Sequence, residues 1–281
     1  MEQILIVGCG AIGRRVASLA LEQGVEVCTF NRGETGAQGA RHFTGNLDEA
    51  ATLGGLPTRG VGVVYFAPPP GGGIEETRVR NFCAAIAAGE EPAKVVYIST
   101  SGVYGDCGGE VVTEETEPRP QTSRGKRRLH GEHLFTEWGR ARGVAVVILR
   151  VTAIYALDRL PVSQLRSGQP VLREEEALPT NRIHADDLSR ICLAALERGK
   201  DGDIFNVSDG SSCTMTAYFN AAADRLGLPR PLQVTMEEAR RVMTPLMISY
   251  FSESRVVDSR KMLDNLGISL LYPDLQSGLK A

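Results

Sequence analysis

The sequence predicts an α/β fold built on a doubly wound parallel sheet, with a small and mostly helical C-terminal lobe. Apolar runs rich in valine and isoleucine alternate with segments of helical periodicity, which is the pattern of buried parallel strands joined by right-handed helical crossovers. A glycine-rich turn follows the first of these runs. The chain has 281 residues and is 42% hydrophobic, which is enough for one large domain and a small lobe.

The apolar runs predict strands at residues 4–7, 25–30, 61–67, 93–99, 144–151 and 203–207. Helical spacing predicts helices at 74–88, 124–142 and 186–198. The apolar face of the helix at 124–142 is expected to consist of Leu129, Leu134 and Trp138. Beyond residue 209 two further helices are expected, and their apolar faces are Tyr218, Phe219, Ala222 and Leu226, then Met236, Ala239, Val242, Met243 and Leu246.

The turn after the first strand carries Gly8, Gly10 and Gly13 at G-x-G-x-x-G spacing, directly before a helical pattern. Strand, glycine turn and helix together are typical of a dinucleotide-binding fingerprint. The first glycine permits the tight turn, the second lets the backbone approach a pyrophosphate, and the third lets helix and strand pack closely. The alternative is an ordinary glycine-rich turn. The turn residues predicted to bind the cofactor are Gly8, Cys9, Gly10, Ala11, Ile12 and Gly13.

This motif predicts a Rossmann-type NAD(P)-binding domain over residues 1–156, with residues 183–207 completing the sheet. Residues 157–182 and 208–281 are assigned to the small lobe. The lobe is expected over the carboxyl edge of the sheet, where folds of this type bind their ligands. It either binds a small-molecule substrate or completes the core.

The residues after the second strand favour NADP over NAD. NAD-specific sites usually place an acidic residue about 20 positions beyond the glycines, whereas this chain has Asn31 followed by Arg32. A guanidinium suits a 2′-phosphate through charge-assisted hydrogen bonds. NAD is the alternative if Arg32 is a solvated loop residue. Ala67 and Pro68 are also predicted to line the cofactor site, because a proline- and glycine-rich loop leaves a central strand there.

Composition argues against several other classes of function. The net charge of −3 gives no field that would attract nucleic acid or acidic lipid. No apolar run reaches transmembrane length, and the chain begins with a strand pattern rather than a secretory signal, so a cytoplasmic protein without membrane contact is expected. The six cysteines lack C-x-x-C spacing and show no ligand pattern with the four histidines, which predicts free thiols and no metal site.

Four segments resemble the extended short-chain dehydrogenase/reductase superfamily, which includes NAD-dependent epimerase/dehydratase-like proteins. They are STSGVYG at 99–105, LR at 149–150, NRIHADDL at 181–188 and FNVSD at 205–209. The resemblance implies that the hydroxyl of Thr100, with Ser101 beside it, binds the substrate oxygen, where it can stabilise a developing alkoxide. The alternative is that Thr100 only caps the strand. By analogy with the family, a homodimer is also expected.

The helix that carries proton transfer in this superfamily departs from its usual form. The family pattern is Y-G-x-x-K-x-x-x-E, whereas residues 124–132 read RGKRRLHGE. Gly125 and Glu132 fix the register, so Arg124 takes the tyrosine position and Arg128 the lysine position. Arg128 is predicted to hold a ribose or a phosphate of the cofactor and to act as a catalytic residue together with Thr100 and Ser101. Thr100 is also predicted to contact the cofactor. Arg124 cannot act as a general acid, because a guanidinium keeps its proton in proteins, and the chain is therefore an atypical family member.

Tyr104, Tyr155 and His184 are candidate substitutes for the missing tyrosine. The stretch around His184 has an alternative role, in which Asp186 or Asp187 caps the following helix. Thr180 stands where many sugar-nucleotide enzymes of the family carry a diphosphate-binding arginine, so a sugar nucleotide is not the favoured substrate.

Three functions follow from these residues. The first is an NADP-dependent oxidoreductase or epimerase-like enzyme acting on a small or sugar-like substrate. The second is a nicotinamide-binding sensor or regulatory protein without redox activity. The third is a scaffold that uses the fold structurally, and the intact glycine turn argues against it.

Overall fold

The structure, a computed structural model, describes residues 1–244, 247–248, 251 and 253–280. The described strands are β1 (Gln3–Val7), β2 (Glu26–Asn31), β3 (Arg41–Thr44), β4 (Gly62–Tyr65), β5 (Lys94–Thr100), β6 (Val111–Val112), β7 (Ala145–Val151), β8 (Ala153–Tyr155), β9 (Val171–Leu172), β10 (Pro179–His184), β11 (Ile204–Val207), β12 (Ser212–Thr214), β13 (Gln233–Val234) and β14 (Val256–Val257). The described helices are α1 (Ala11–Glu22), α2 (Thr77–Ala85), α3 (Ser123–Arg142), α4 (Val162–Arg166), α5 (Ala185–Arg198), α6 (Met215–Leu226), α7 (Met236–Val242), α8 (Arg260–Leu266) and α9 (Leu275–Gly278).

Within these residues, seven strands form one parallel sheet in the order β11-β7-β5-β4-β1-β2-β3. The strand order reverses at β1, which pairs with β2 on one side and β4 on the other. Helices α1 and α5 cover one face of the sheet, and α2 and α3 cover the other. The predicted doubly wound fold is confirmed, and all six predicted strands belong to this sheet. Such folds bind ligands at the carboxyl ends of the strands, next to the reversal.

Strand β3 is absent from the sequence prediction. It lies at the edge of the sheet, pairs with β2, and reads Arg-His-Phe-Thr with every side chain at least partly exposed. An edge strand with solvent on one side needs no continuous apolar run. Local contacts hold it instead, because the ring of His42 lies within hydrogen-bond distance of Thr29 Oγ1, at 2.9 Å, and the Arg41 guanidinium stacks on the Phe43 ring.

Helix α3 packs on the sheet most closely through its glycines and Phe135, and its predicted apolar residues pack at the margin of that contact. Leu129, Leu134 and Trp138 are only partly buried. The buried residues are Gly125, Gly131, Glu132, Phe135 and Gly139. A Cβ on Gly131 would lie 2.3 Å from the Tyr97 hydroxyl oxygen, and one on Gly139 would lie 2.5 Å from Val146 Cγ2. The missing side chains therefore let the helix approach β5 and β7 closely.

The small lobe contains short strands as well as helices. Strand β10 pairs with β8 in parallel and with β12 in antiparallel orientation, and β9 pairs with β13. Helix α6 presents Tyr218, Phe219 and Ala222 of its predicted face to a separate core around Tyr155 and Val171, whereas Leu226 at its end is exposed. Helix α7 begins at a Thr235 capping box and buries Ala239, whereas Val242, expected on the same face, is exposed. Leu246, expected on the face of that helix, lies outside the described residues.

The chain returns to the large sheet near its end. Strand β14 pairs with β6, and α8 packs against α5 and β11. Met262 and Leu266 of α8 are fully buried in the core of the large sheet, although residues 208–281 are expected in the small lobe. Their apolar side chains cover the end of the sheet beside β11. No helix in the described part of the chain has both the length and the apolar character needed to cross a bilayer.

Candidate functional site

The three glycines of the turn between β1 and α1 have different surroundings. Gly8 has φ +85°, and a Cβ there would lie 2.5 Å from the backbone nitrogen of Ala67. A Cβ on Gly13 would lie 3.1 Å from Ile6 Cγ2, whereas one on Gly10 would meet nothing within 4 Å. The first and third positions are therefore required by the protein's own packing. The space beside Gly10 is open, as expected where a cofactor backbone approaches.

Helix α1 begins without a side-chain cap. Gly10 is its N-cap residue and supplies no side chain to accept the N–H groups of the first turn. These N–H groups, together with the helix dipole, favour an anion such as a pyrophosphate. Ala11 is exposed at this end, whereas the Ile12 side chain is buried in the core, so Ile12 can offer a ligand only its backbone.

A groove of about 310 Å³ runs from the glycine turn past the end of β2 to the exit of β4. It brings together the predicted residues Asn31, Arg32, Ala67 and Pro68 with the glycine turn. Five other residues predicted to contact the cofactor do not line this groove, namely Ala11, Ile12, Gly13, Thr100 and Arg128. The rest of the lining consists of Phe30, Gly33, Gly45, Asn46, Leu47 and Arg78.

Asn31 has one unused hydrogen-bonding atom in the groove. Its amide nitrogen lies 3.5 Å from the Cys9 carbonyl oxygen and 3.3 Å from that of Thr35. Its Oδ1 is buried and has no hydrogen-bond partner among the described residues. Buried polar atoms are normally hydrogen-bonded, so this oxygen is an unused acceptor next to the groove. The groove thus has both an open approach for phosphate and an acceptor for sugar.

Arg78 adds a second cation beside the groove. It donates to Asp48 Oδ2 at 2.6 Å, to Asp48 Oδ1 at 2.9 Å and to the Pro68 carbonyl oxygen at 2.9 Å. The Arg78 guanidinium lowers the pKa of the Asp48 carboxyl. The sequence gives little signal for Arg78, because its partners Asp48 and Pro68 belong to separate segments that come together only in the folded chain.

A second cavity of about 290 Å³, called the cleft below, lies between the carboxyl ends of β5 and β7 and the small lobe. It is lined by Thr100, Ser101, Gly102, Arg124, Thr152, Ala153, Pro179, Thr180, Asn181, Met215, Glu253 and Arg255. The predicted pair Thr100 and Ser101 and the substituted position Arg124 therefore share one cavity. Glu253 and Arg255 are additions that lie some 150 residues away in sequence, with no local motif to reveal them.

Thr100 caps its turn and still has a hydroxyl hydrogen to donate. Its Oγ1 accepts the Gly102 N–H at 3.2 Å, at the start of the 3₁₀ turn Ser101–Tyr104. A threonine hydroxyl can accept and donate at once. The two roles considered for Thr100 are therefore compatible.

Arg128 lies at the ends of two central strands. Its Nη1 donates to the Ile98 carbonyl oxygen at 2.9 Å and approaches the Ala67 carbonyl oxygen at 3.4 Å, while its guanidinium lies over the Tyr97 ring. Ala67 lines the groove, and Ile98 belongs to the strand that ends at Thr100 in the cleft. Arg128 is thus anchored beside the ends of β4 and β5, where the chain contributes residues to the groove and to the cleft.

Neither candidate tyrosine lines the cleft. The buried Tyr104 hydroxyl donates to Asn206 Oδ1 at 2.7 Å and accepts from Arg150 at 3.1 Å. The Tyr155 hydroxyl donates to the Asp274 carbonyl oxygen at 3.0 Å. Burial raises the pKa of both phenols. Both tyrosines are therefore held in structural contacts rather than offered to a substrate.

His184 is the N-cap of α5. Its Nδ1 accepts the Asp186 N–H at 3.3 Å, and the ring is buried between Tyr155 and Tyr272. Burial lowers the pKa of this imidazole. The expectation that Asp186 or Asp187 caps the helix is wrong, because the cap is His184 itself. The Asp187 carboxylate instead accepts the backbone N–H groups of residues 271 and 272.

A buried ion pair supports the strand ends behind the cleft. Arg150 Nη2 lies 2.8 Å from Glu132 Oε2, and the two side chains are 4% and 3% exposed. The Ser99 hydroxyl donates to Glu132 Oε1 at 2.5 Å. The pair therefore joins α3, β5 and β7 immediately before Thr100.

Asp209, in the FNVSD segment, is a buried carboxylate with one unpartnered oxygen. Its Oδ1 accepts from both the N–H and the hydroxyl of Ser211 at 2.9 Å, whereas Oδ2 has no partner. Burial raises the pKa of Asp209 to about 6. Burial therefore disfavours the ionised form in the fold relative to the unfolded chain, although the carboxyl is still mostly ionised at pH 7.

We expect Asp209→Asn to gain stability relative to the wild type as pH rises through about 6. The folded-state pKa is raised, so this carboxyl contributes its full stability below the unfolded value near 3.9 and loses it as pH rises through the folded value. The difference at neutral pH should reach on the order of 2–3 kcal/mol. Urea unfolding of both proteins at about pH 4, 6 and 8 measures it. A difference that does not change with pH would contradict the assignment.

The fold is a doubly wound α/β sheet with a glycine-rich turn at its strand reversal and a small lobe beside it. Residues 4–208 match the NAD dependent epimerase/dehydratase family, and the chain belongs to that family. Membership of this family supports a nicotinamide cofactor.

Relatives match the chain along nearly its whole length. Protein YeeZ of Escherichia coli K12 is 23% identical and aligns with 98% of this chain and 97% of its own. A functionally unknown conserved protein from Silicibacter pomeroyi superposes with a TM-score of 0.82 at 25% identity, covering 100% of this chain and 97% of that one. UDP-glucose 4-epimerase from Thermotoga maritima, solved with UDP-glucose, gives a TM-score of 0.80 at 18% identity over 99% and 96% of the two chains, which shows a shared fold.

Proposed function

We propose that this chain is an NADP-binding oxidoreductase or epimerase-like enzyme that acts on a small molecule in the cleft. The observation that carries the proposal is the contrast among the three glycines. Two of them are needed by internal packing, whereas the position facing a pyrophosphate in such folds has open space. The unpartnered Asn31 Oδ1 in the same groove supports a bound ribose.

The preference for NADP rests on the charges at the end of β2. Arg32 lines the groove and is exposed, so it can reach a 2′-phosphate. The nearby acid Asp48 is engaged by Arg78 and is therefore not free to bind a ribose hydroxyl. A cationic rim without a free carboxylate favours the phosphorylated ribose.

Arg32→Ala is expected to weaken NADPH binding by roughly 10- to 100-fold and to leave NADH binding nearly unchanged, because a hydrogen bond to a charged group is worth about 1.5–3 kcal/mol. Calorimetric titration of each cofactor measures the two affinities. Arg14→Ala is the matched control, since Arg14 is an exposed cation of α1 that does not line the groove. Equal losses for both cofactors would show that Arg32 does not read the 2′-phosphate.

The residues of the cleft suit stabilisation of a negatively charged oxygen. When bound, the nicotinamide supplies or accepts a hydride. The Thr100 hydroxyl can donate to the substrate oxygen while it accepts from Gly102. Arg124 lines the same cleft and can stabilise charge on that oxygen, but its guanidinium neither gives nor takes a proton. Proton exchange at the oxygen is then left to solvent.

The activity is tested by following NADPH absorbance over a panel of small hydroxy and keto compounds. Cofactor consumption that depends on the added compound supports an oxidoreductase. An epimerase or dehydratase consumes no net cofactor, so the same mixtures are also analysed for isomerised or dehydrated product. Bound cofactor without either outcome would favour a regulatory nicotinamide-binding protein.

A further inference from the structure

The cleft carries more positive than negative charge. Its lining includes two guanidinium groups, Arg124 and Arg255, and one carboxylate, Glu253. The remaining polar lining consists of hydroxyl and amide groups from Thr100, Ser101, Thr152, Thr180 and Asn181. Such a lining can donate hydrogen bonds to several oxygen atoms of a ligand, and guanidinium groups favour oxygens that carry negative charge.

Arg255 is held in place before any ligand arrives. Its Nη1 donates to the Ser101 carbonyl oxygen at 2.9 Å, and its Nη2 donates to Glu253 Oε2 at 2.8 Å. Its side chain is 11% exposed, and its buried Nε has no hydrogen-bond partner in the part of the chain that the structure describes. Because a buried donor without a partner is costly, this N–H is suited to an acceptor supplied by a ligand.

A third guanidinium lies behind the cleft wall. Arg182 stacks on the Tyr218 ring at 3.7 Å, and its Nη2 contacts Thr180 Oγ1 at 3.5 Å and Met215 Sδ at 3.4 Å. Thr180 and Met215 both line the cleft. Arg182 is 4% exposed, and no carboxylate among the described residues lies within ion-pair distance of it. Its guanidinium lowers the pKa of the buried Asp209 carboxyl, so Asp209 compensates part of its charge, and an anion in the cleft would add to that compensation.

We infer that the substrate of this cleft is a small hydroxylated molecule carrying a carboxylate or phosphate group, which is bound by Arg255 and Arg124. The inference rests on the proposed function, because it takes the cleft as the substrate site. The volume of about 290 Å³ is at the lower end for ligand pockets. The occupant is therefore a hydroxy acid, sugar acid or sugar phosphate rather than a nucleotide-linked sugar.

The test uses malonate and inorganic phosphate as probes, at constant ionic strength and with the protein saturated with NADPH. Calorimetry and thermal unfolding measure the binding of each probe. We expect saturable binding to the wild type and at least 10-fold weaker binding to Arg255→Gln and Arg124→Gln. Arg124 is exposed, so its variant is expected to fold even if the Arg255 variant does not. Arg140→Gln is the control, because Arg140 is an exposed cation near the other end of α3.

Tighter binding of malonate indicates a carboxylate site, and tighter binding of phosphate indicates a phosphate site. Glucose, an uncharged polyol, is the control for binding that does not depend on charge. Equal binding of the probes to the wild type and both cleft variants would overturn the inference. Tighter binding of UDP-glucose than of either probe would also overturn it.

Failure of the proposed function is recognised separately, by absence of NADPH binding at the outset. The comparison of variants then proceeds without cofactor and still decides the inference, because neither arginine lines the groove.

Discussion

Arg150→Met is expected to lower the free energy of unfolding by about 3–5 kcal/mol, because it leaves the Glu132 carboxylate buried without its counter-ion. In the native structure this carboxylate contacts both Arg150 Nε, at 3.2 and 3.3 Å, and Nη2. The substitution also removes the donor to the Tyr104 hydroxyl. Urea unfolding followed by circular dichroism measures the loss.

Two further variants separate a buried ion pair from a generic effect of removing arginine. Arg119→Met removes an exposed partner of Glu117 and should change stability by less than about 1 kcal/mol. Adding Glu132→Leu to Arg150→Met should restore part of the lost stability, since no uncompensated charge is left. If Arg150→Met were no more damaging than Arg119→Met, the assigned role of the pair would be wrong.

Gly10→Val is expected to reduce cofactor affinity by at least about 100-fold while leaving the fold intact. The backbone at Gly10 has φ −84°, which valine adopts, and a Cβ there meets nothing within 4 Å. The added side chain would fill only the space into which a pyrophosphate fits. Titration with NADPH measures the affinity, and thermal unfolding measures the stability.

Gly13→Val provides the contrast, because the added atoms would meet Ile6 and the Gly8 carbonyl. Overpacking of this kind costs about 1–3 kcal/mol of stability. The two variants should therefore fail in different ways, one in binding and one in folding. Retained NADPH affinity in Gly10→Val would remove the main argument for the groove.

The central sheet could be predicted because its physical causes are local. Strands β1, β4, β5 and β7 are buried on both faces, so they leave continuous apolar runs. The glycine turn was equally visible, since its three glycines stand at fixed spacing between one strand and one helix. The close contact that requires Gly8 is made with Ala67, beyond β4. Strand β3 left no such trace because it is short, polar and at the edge.

The most deeply buried face of α3 escapes a search for apolar periodicity because three of its five buried residues are glycines. Periodicity identifies apolar residues, and Leu129 and Trp138 satisfy it while remaining partly exposed. The sequence does carry a signal of this packing, which is the recurrence of glycine within a long helix. Glycine lowers the stability of a helix, so its recurrence indicates that the helix closely approaches the element it packs on.

The cleft was only half predictable. Thr100, Ser101 and Arg124 belong to motifs along the chain, and the structure brings them to one cavity. Glu253 and Arg255 reach the same cavity beside β14, which pairs with the distant β6. No local sequence pattern indicates that Glu253 and Arg255 reach the cleft. The hydrogen bond from Tyr104 to Asn206 could not be predicted either, because Asn206 lies on β11, 102 residues further along the chain.

The central claim is that the groove binds a nicotinamide dinucleotide and prefers the phosphorylated form. Parallel calorimetric titration of the wild-type protein with NADPH and NADH tests it most directly. The account predicts NADPH binding in the micromolar range, about −8 kcal/mol, and NADH binding at least about 10-fold weaker. Binding of neither cofactor would contradict the claim.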